Sequence, residues 1–123
     1  MSFKKPRILF IDDDEMITDL YRLVFDRSGE FEVRTENSGT VAVQVAREFQ
    51  PDLVFLDWNM PDRSGPDVAA DLLGAGELCG IKVAYMTGSA AATGTYHGLP
   101  SFPKPVCIEQ FIVTARGLLA SAN

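Results

Sequence analysis

The chain has 123 residues, the length of one ordinary domain and too short for two. Hydrophobic residues make up 46% and charged residues 23%, a soluble globular balance, and no apolar run approaches the length needed to span a bilayer. The net charge of −6 argues against direct nucleic-acid binding, which needs a basic stripe; the cluster Lys4, Lys5 and Arg7 reads as a solvated end.

In chain order, Arg7 to Ile11 is a continuous β-rich run and reads as a strand buried on both faces. Glu15 to Ser28 places Met16, Leu20, Leu23 and Val24 on one helical stripe, stopped by Gly29. Phe31 to Thr35 alternates as a second strand. Ser38 and Gly39 open a helix carrying Val41, Ala42, Val45, Ala46 and Phe49, closed by Pro51. Leu53 to Leu56 is a third strand, apolar throughout and ending at Asp57. Pro61 to Gly65 is turn chemistry, followed by a helix over Pro66 to Leu73. Ile81 to Tyr85 reads as the fourth strand and Leu99 to Phe102 as a weak fifth. Ile108, Phe111, Ile112, Ala115, Leu118 and Leu119 give a last helix a clear apolar face.

Alternation of strands and helices implies an α/β, doubly wound parallel sheet with helices on both faces. In such sheets, chemistry sits beyond the carboxyl ends of the strands. The polar residues fall there: Asp12, Asp13 and Asp14 follow the first strand, Asp57 ends the third, Thr87 follows the fourth and Lys104 the fifth. Three carboxylates brought together at about 5 Å repel by roughly 3 kcal/mol per pair at an effective dielectric near 20. Oxygen donors of this kind suit a hard divalent cation, and Mg²⁺ takes one or two carboxylates while keeping waters for a phosphate. The plainer reading of Asp12 to Asp14 is a helix N-cap run, which fits Asp14 best; for Asp57 it is an Asx turn into Asn59 and Pro61. Lys104, held between Pro103 and Pro105, projects from a rigid turn, where it serves either as a solvated lysine or as a bridge to carboxylates or an anion. Thr87-Gly88 offers a hydroxyl and an unhindered N–H to a phosphoryl oxygen, and is also ordinary turn chemistry.

Taken together, Ile8 to Asp14, Pro51 to Pro61 with Gly65, Met86-Thr87-Gly88 and Lys104-Pro105 resemble, in order and over essentially the whole chain, the receiver domain of bacterial two-component response regulators. The resemblance implies a flavodoxin-like five-stranded sheet of order 2-1-3-4-5. It implies Asp57 as phosphoacceptor, Asp12 and Asp13 as the acidic pair, and Mg²⁺ on Asp13, Asp57 and the Asn59 carbonyl. Thr87 and Lys104 would contact the phosphoryl group. The expected protein is a phosphorylation-controlled signalling module, a single receiver domain over 1–123. A histidine kinase or histidine phosphotransfer protein is the expected donor and a downstream protein the target. It is no enzyme toward external substrates, although it catalyses its own phosphorylation and dephosphorylation.

Two departures from the family bear on output. The position three residues before Lys104, where the family carries a Tyr or Phe, is Ser101; Phe102, one place later, points to the opposite face of a strand. The stretch from Thr87 to Lys104 is short, and Gly88, Gly94, Gly98 and Pro100 bracket only Ser89 to Thr93. A short or irregular fourth helix is therefore expected. Two alternatives of function stand beside the first. One is a docking module that no longer uses phosphorylation. The other is a Mg²⁺-dependent aspartyl-phosphate phosphatase, disfavoured because Asn59 stands where a second acidic residue would serve as acid-base. Cys79 and Cys107 read as reduced structural thiols and His97 as an exposed loop residue. No signal peptide is evident, so a cytoplasmic location is expected. No output domain follows Asn123, which fits either a stand-alone receiver or part of a longer protein.

Overall fold

A computed structural model describes residues 5–78, 80–87, 94–96, 99–103 and 108–120. Its strands are β1 (Arg7–Ile11), β2 (Glu32–Glu36), β3 (Leu53–Asp57), β4 (Lys82–Thr87), β5 (Gly94–Tyr96) and β6 (Leu99–Pro103). Its α-helices are α1 (Glu15–Ser28), α2 (Ala42–Phe49), α3 (Gly65–Gly74) and α4 (Ile108–Ala120). The sheet runs β2-β1-β3-β4-β6-β5, with every pairing parallel except β5 against β6. The five parallel strands thus take the expected order 2-1-3-4-5, with Leu99–Pro103 as the fifth.

The continuous apolar strands are continuous because both of their faces are covered. Ile8 and Phe10 of β1, Leu53 and Phe55 of β3, and Ala84 and Met86 of β4 pack on one side with Tyr21, Phe25, Phe111 and Ala115 from α1 and α4. The residues between them, Leu9, Ile11, Val54, Leu56, Val83 and Tyr85, pack on the other with Val45, Ala46, Val68 and Leu72 from α2 and α3. Alternation of side chains across a strand sends each residue to one core or the other.

Several boundaries reflect local chemistry. The Asp14 carboxylate caps α1, accepting from the N–H groups of Met16 (3.0 Å) and Ile17 (3.4 Å), and Gly29 closes it in the left-handed conformation at φ 71°. Ser38 caps a 3₁₀ turn, Gly39–Val41, that leads into α2.

The expected face of α1 is corrected. Met16, Leu20 and Leu23 are exposed at 83%, 45% and 54%, and only Val24 of that stripe is half-buried. The helix instead turns Thr18, Tyr21 and Phe25 inward. The reason is the size of the aromatic rings: Tyr21 and Phe25 lie 5.3 and 5.0 Å from Phe10, centroid to centroid, and 5.0 and 5.1 Å from Phe111. Ring-to-ring contacts of this kind add to the area each ring buries, a gain that the aliphatic chains on the opposite face do not offer.

Between β4 and β6 the expected short helix falls on residues 88–93, outside those described. Residues 94–96 form β5, an antiparallel strand that sequence reading did not anticipate. Gly94, Thr95 and Tyr96 pair with Ser101, Pro100 and Leu99, so the edge of the sheet ends in a hairpin.

Candidate functional site

Each functional side chain is placed by the strand it succeeds. Asp12 stands directly after β1, where its N–H donates to the Glu36 carbonyl at the end of β2 (3.1 Å). Its own carbonyl accepts from Asn37 Nδ2 (2.8 Å), and its carboxylate accepts from the Asp14 N–H (3.0 Å). These bonds hold Asp12 in the fold at 3% exposure. With Asp14 committed to capping α1, Asp13 between them faces solvent. Asp57, the last residue of β3, is 6% exposed.

The acidic residues from the ends of β1 and β3 meet: one carboxylate oxygen from each of Asp12, Asp13 and Asp57 lies within 4.8 Å of the others. At that spacing the repulsion per pair is on the order of 3 kcal/mol for an effective dielectric near 20, less where Asp13 meets water. The donors are all oxygen, two buried and one open to solvent, so the set fits a small hard cation that keeps part of its water shell.

The neighbouring strand end completes the wall. Asp57 pairs with Met86 across β3 and β4, and the Trp58 N–H donates to the Met86 carbonyl (2.9 Å). Thr87, one residue farther, is buried at 3% and pairs in turn with Pro103 at the end of β6. Asn59 is exposed in the loop between β3 and α3. Lys104 comes after Pro103 in sequence but lies outside the described residues, as do Gly88, Cys79, His97, Pro105 and Cys107. Ser101 is buried beside Tyr85, while Phe102 packs in the opposite core with Met86, so Phe102 does not substitute at the Ser101 position. Tyr85 itself packs edge-on against Trp58, with centroids 5.0 Å apart.

Two supporting residues, Asn37 and Asp62, escaped the sequence reading, and Gly65, read there as part of the motif and as turn chemistry, has a further structural role. Asn37 bridges the Asp12 carbonyl and the Thr18 hydroxyl (2.9 Å). Gly65 lies so close under β3 that a Cβ there would sit 2.6 Å from the Asp57 carbonyl oxygen. One oxygen of Asp62 accepts from Ser38 Oγ (2.6 Å), Thr40 Oγ1 (2.6 Å) and the Thr40 N–H (3.0 Å). The Ser38 hydroxyl, then the Thr40 hydroxyl, hold the Asp62 carboxyl well below the usual carboxylate range. Only the hydroxyls flanking Gly39 offered a local signal for this contact; the partners are 22 and 24 residues apart in the chain.

At the opposite end of the sheet, a cleft of about 750 Å³ is lined by Lys5, Arg7, Gln50, Asp52 and Lys82. Two of its cations, Lys82 and Arg7, are engaged structurally. Lys82 Nζ donates to the Leu118 and Leu119 carbonyls (2.7 and 3.1 Å) at the end of α4, and Arg7 bonds the Phe49 carbonyl (2.8 Å) at the end of α2. Cations at helix carboxyl termini are ordinary stabilising chemistry. No described helix is long and apolar enough to cross a membrane.

Comparison with known proteins agrees with this geometry. The family model for the response regulator receiver domain matches residues 8–99. The polar-differentiation response regulator DivK of Brucella anthropi is 31% identical over 120 residues, spanning 94% of this chain and 97% of that protein. The solved receiver domain from the hybrid histidine kinase CckA is similar with a TM-score of 0.77 at 25% identity, over 92% of this chain and 98% of that one. The Vibrio cholerae chemotaxis protein CheY4 shares the fold with a TM-score of 0.81 at 19% identity, over 94% and 99% of the two chains.

Proposed function

This chain belongs to the response regulator receiver domain family of two-component signalling, a phosphoryl-accepting module, and we propose that its acceptor is Asp57. In this reading Asp12, Asp13, Asp57 and the Asn59 carbonyl hold Mg²⁺, while Thr87 and Lys104 meet the transferred group. The supporting observation is the convergence of Asp12, Asp13 and Asp57 to within 4.8 Å, with Thr87 at the next strand end.

The chemistry asks for position and charge compensation more than for covalent help. A carboxylate needs no general base to act as a nucleophile near neutral pH. An Asp57 oxygen forms the bond to phosphorus as the bond from phosphorus to the donor histidine nitrogen breaks, leaving an acyl phosphate on this chain and a free imidazole on the donor. The bound cation supplies charge neutralisation for the crowded carboxylates and the incoming phosphoryl oxygens. Thr87 Oγ1 donates a hydrogen bond to a phosphoryl oxygen, and the Lys104 ammonium offsets negative charge on the side away from the acidic cluster. The domain in this way catalyses its own phosphorylation and, with water as acceptor, its own dephosphorylation.

The donor is a histidine kinase or histidine phosphotransfer protein, the target a downstream protein, and the setting the cytoplasm. The whole of 1–123 acts as one receiver domain. Incubation with acetyl phosphate and Mg²⁺, then intact-mass measurement, is the test, and one acid-labile phosphoryl group is added. Asp57→Asn abolishes the addition. Labelling of that variant at the wild-type level refutes the assignment.

A further inference from the structure

The loop between β3 and α3 carries Asn59. At its ends the Trp58 N–H donates to the Met86 carbonyl (2.9 Å) and the Gly65 N–H to the Trp58 carbonyl (2.8 Å). In its middle Met60 is buried, but Asn59, Pro61 and Asp62 are exposed. Two charged side chains anchor this stretch: Arg63 pairs with Asp71 of α3, and the Asp62 carboxylate reaches across to Ser38 and Thr40 in the turn after β2 through its three hydrogen bonds.

That turn is itself rigid. Ser38 Oγ accepts from the Thr40 N–H (3.2 Å), and Gly39 lies against the loop so closely that a Cβ would stand 3.2 Å from Met60 Cε and 3.3 Å from Arg63 Cβ. The residue before Ser38, Asn37, holds the Asp12 carbonyl (2.8 Å). Residues 37–40 therefore brace both sides of the acidic cluster, one through Asn37 to Asp12 and the other through Asp62 to the loop that bears Asn59.

We infer that Asp62 is a positioning residue for cation binding, fixing the Asn59 loop against the turn that also holds Asp12; this rests on the proposed Mg²⁺-dependent receiver function. Asp62 touches neither the cation nor the phosphoryl group. Its effect is on affinity, because a ligand-bearing loop released from its brace must be ordered again each time the cation binds.

The experiment titrates Mg²⁺ into wild type, Asp62→Ala, Asp62→Asn and Asp13→Asn, reading Trp58 fluorescence, and measures acetyl-phosphate labelling rates across the same Mg²⁺ range. Circular dichroism melts confirm that each variant is folded. Asp62→Ala is expected to weaken Mg²⁺ binding about 10-fold, the lower end of the range for partners of metal ligands. Its labelling rate at saturating Mg²⁺ returns to the wild-type value, a pattern that a general loss of structure does not produce. Asp62→Asn, which keeps an acceptor oxygen, recovers most of the affinity. Wild-type affinity in Asp62→Ala, with Asp13→Asn impaired, overturns the positioning role and leaves the metal reading intact. A reduced rate that saturating Mg²⁺ does not restore also overturns it. If Asp13→Asn binds Mg²⁺ like wild type, the metal reading falls and the role of Asp62 falls with it.

Discussion

Gly65→Ala isolates the close approach of α3 to the end of β3. A Cβ at this position would stand 2.6 Å from the Asp57 carbonyl oxygen, 2.9 Å from Trp58 Cα and 3.1 Å from the Trp58 carbonyl oxygen, all backbone atoms that cannot rotate away. Reaching an ordinary contact of 3.4 Å from the nearest of them needs a displacement of about 0.8 Å. Overpacking of this kind costs about 1–3 kcal/mol, and stretching the 2.8 Å bond from the Gly65 N–H to the Trp58 carbonyl adds about 1 kcal/mol. Alanine returns about 1 kcal/mol through helix propensity and a less disordered unfolded chain. The net expectation is a loss of roughly 2 kcal/mol, or about 6–10 °C in Tm for a chain of this size. The atoms displaced belong to Asp57 and Trp58, so acetyl-phosphate labelling slows as well. Gly74→Ala, on the same helix with nothing within 4 Å of its Cβ, is the control and should leave stability equal or slightly raised. Urea unfolding of the two variants beside wild type measures both effects. A Gly65→Ala protein as stable as wild type and labelled at the same rate refutes the reasoning.

Phe111 is 2% exposed, with ring centroids 4.7 Å from Phe55, 5.0 Å from Tyr21, 5.1 Å from Phe25 and 5.8 Å from Phe10. Phe111→Ala should cost about 3–5 kcal/mol in urea unfolding, and a loss below about 1 kcal/mol would show that α4 does not seal this core. The Asp62 contact carries a pH signature. Its folded pKa is depressed by the Ser38 and Thr40 hydroxyls, so its contribution is present above the ordinary aspartate value of about 3.9 and is lost as pH falls below it. The Tm gap between wild type and Asp62→Asn should therefore be widest near neutrality, small because the group is exposed, and should close on acidification; a gap that widens in acid contradicts the hydrogen-bond pattern.

Much of the fold is written locally. The runs at Arg7–Ile11 and Leu53–Asp57 have no polar alternation because two cores cover them, and that property is readable without knowing what covers them. Asp14 and Gly29 mark the ends of α1 by capping chemistry that acts within a few residues. The acidic cluster was legible for a topological reason: a parallel sheet brings the carboxyl ends of its strands to one edge, so Asp12, Asp13 and Asp57 had to approach one another.

The features that only the tertiary structure decided depend on what packs or pairs against each segment. The spacing of Met16, Leu20 and Leu23 is a sound helical stripe, but the rings of Phe10, Phe31 and Phe111 make the opposite face, with Tyr21 and Phe25, the better one to bury. The strand at Gly94–Tyr96 has no apolar run to announce it, and among the described residues its sheet partner is β6, the strand it precedes. Asn37, Asp62 and Gly65 look like turn residues in the sequence, and Gly65 is set by a backbone approach of 2.6 Å that no local pattern encodes. A period along the chain reports which residues can share a face; which face is buried, and how closely two loops meet, is set by the shape and volume of what packs against them.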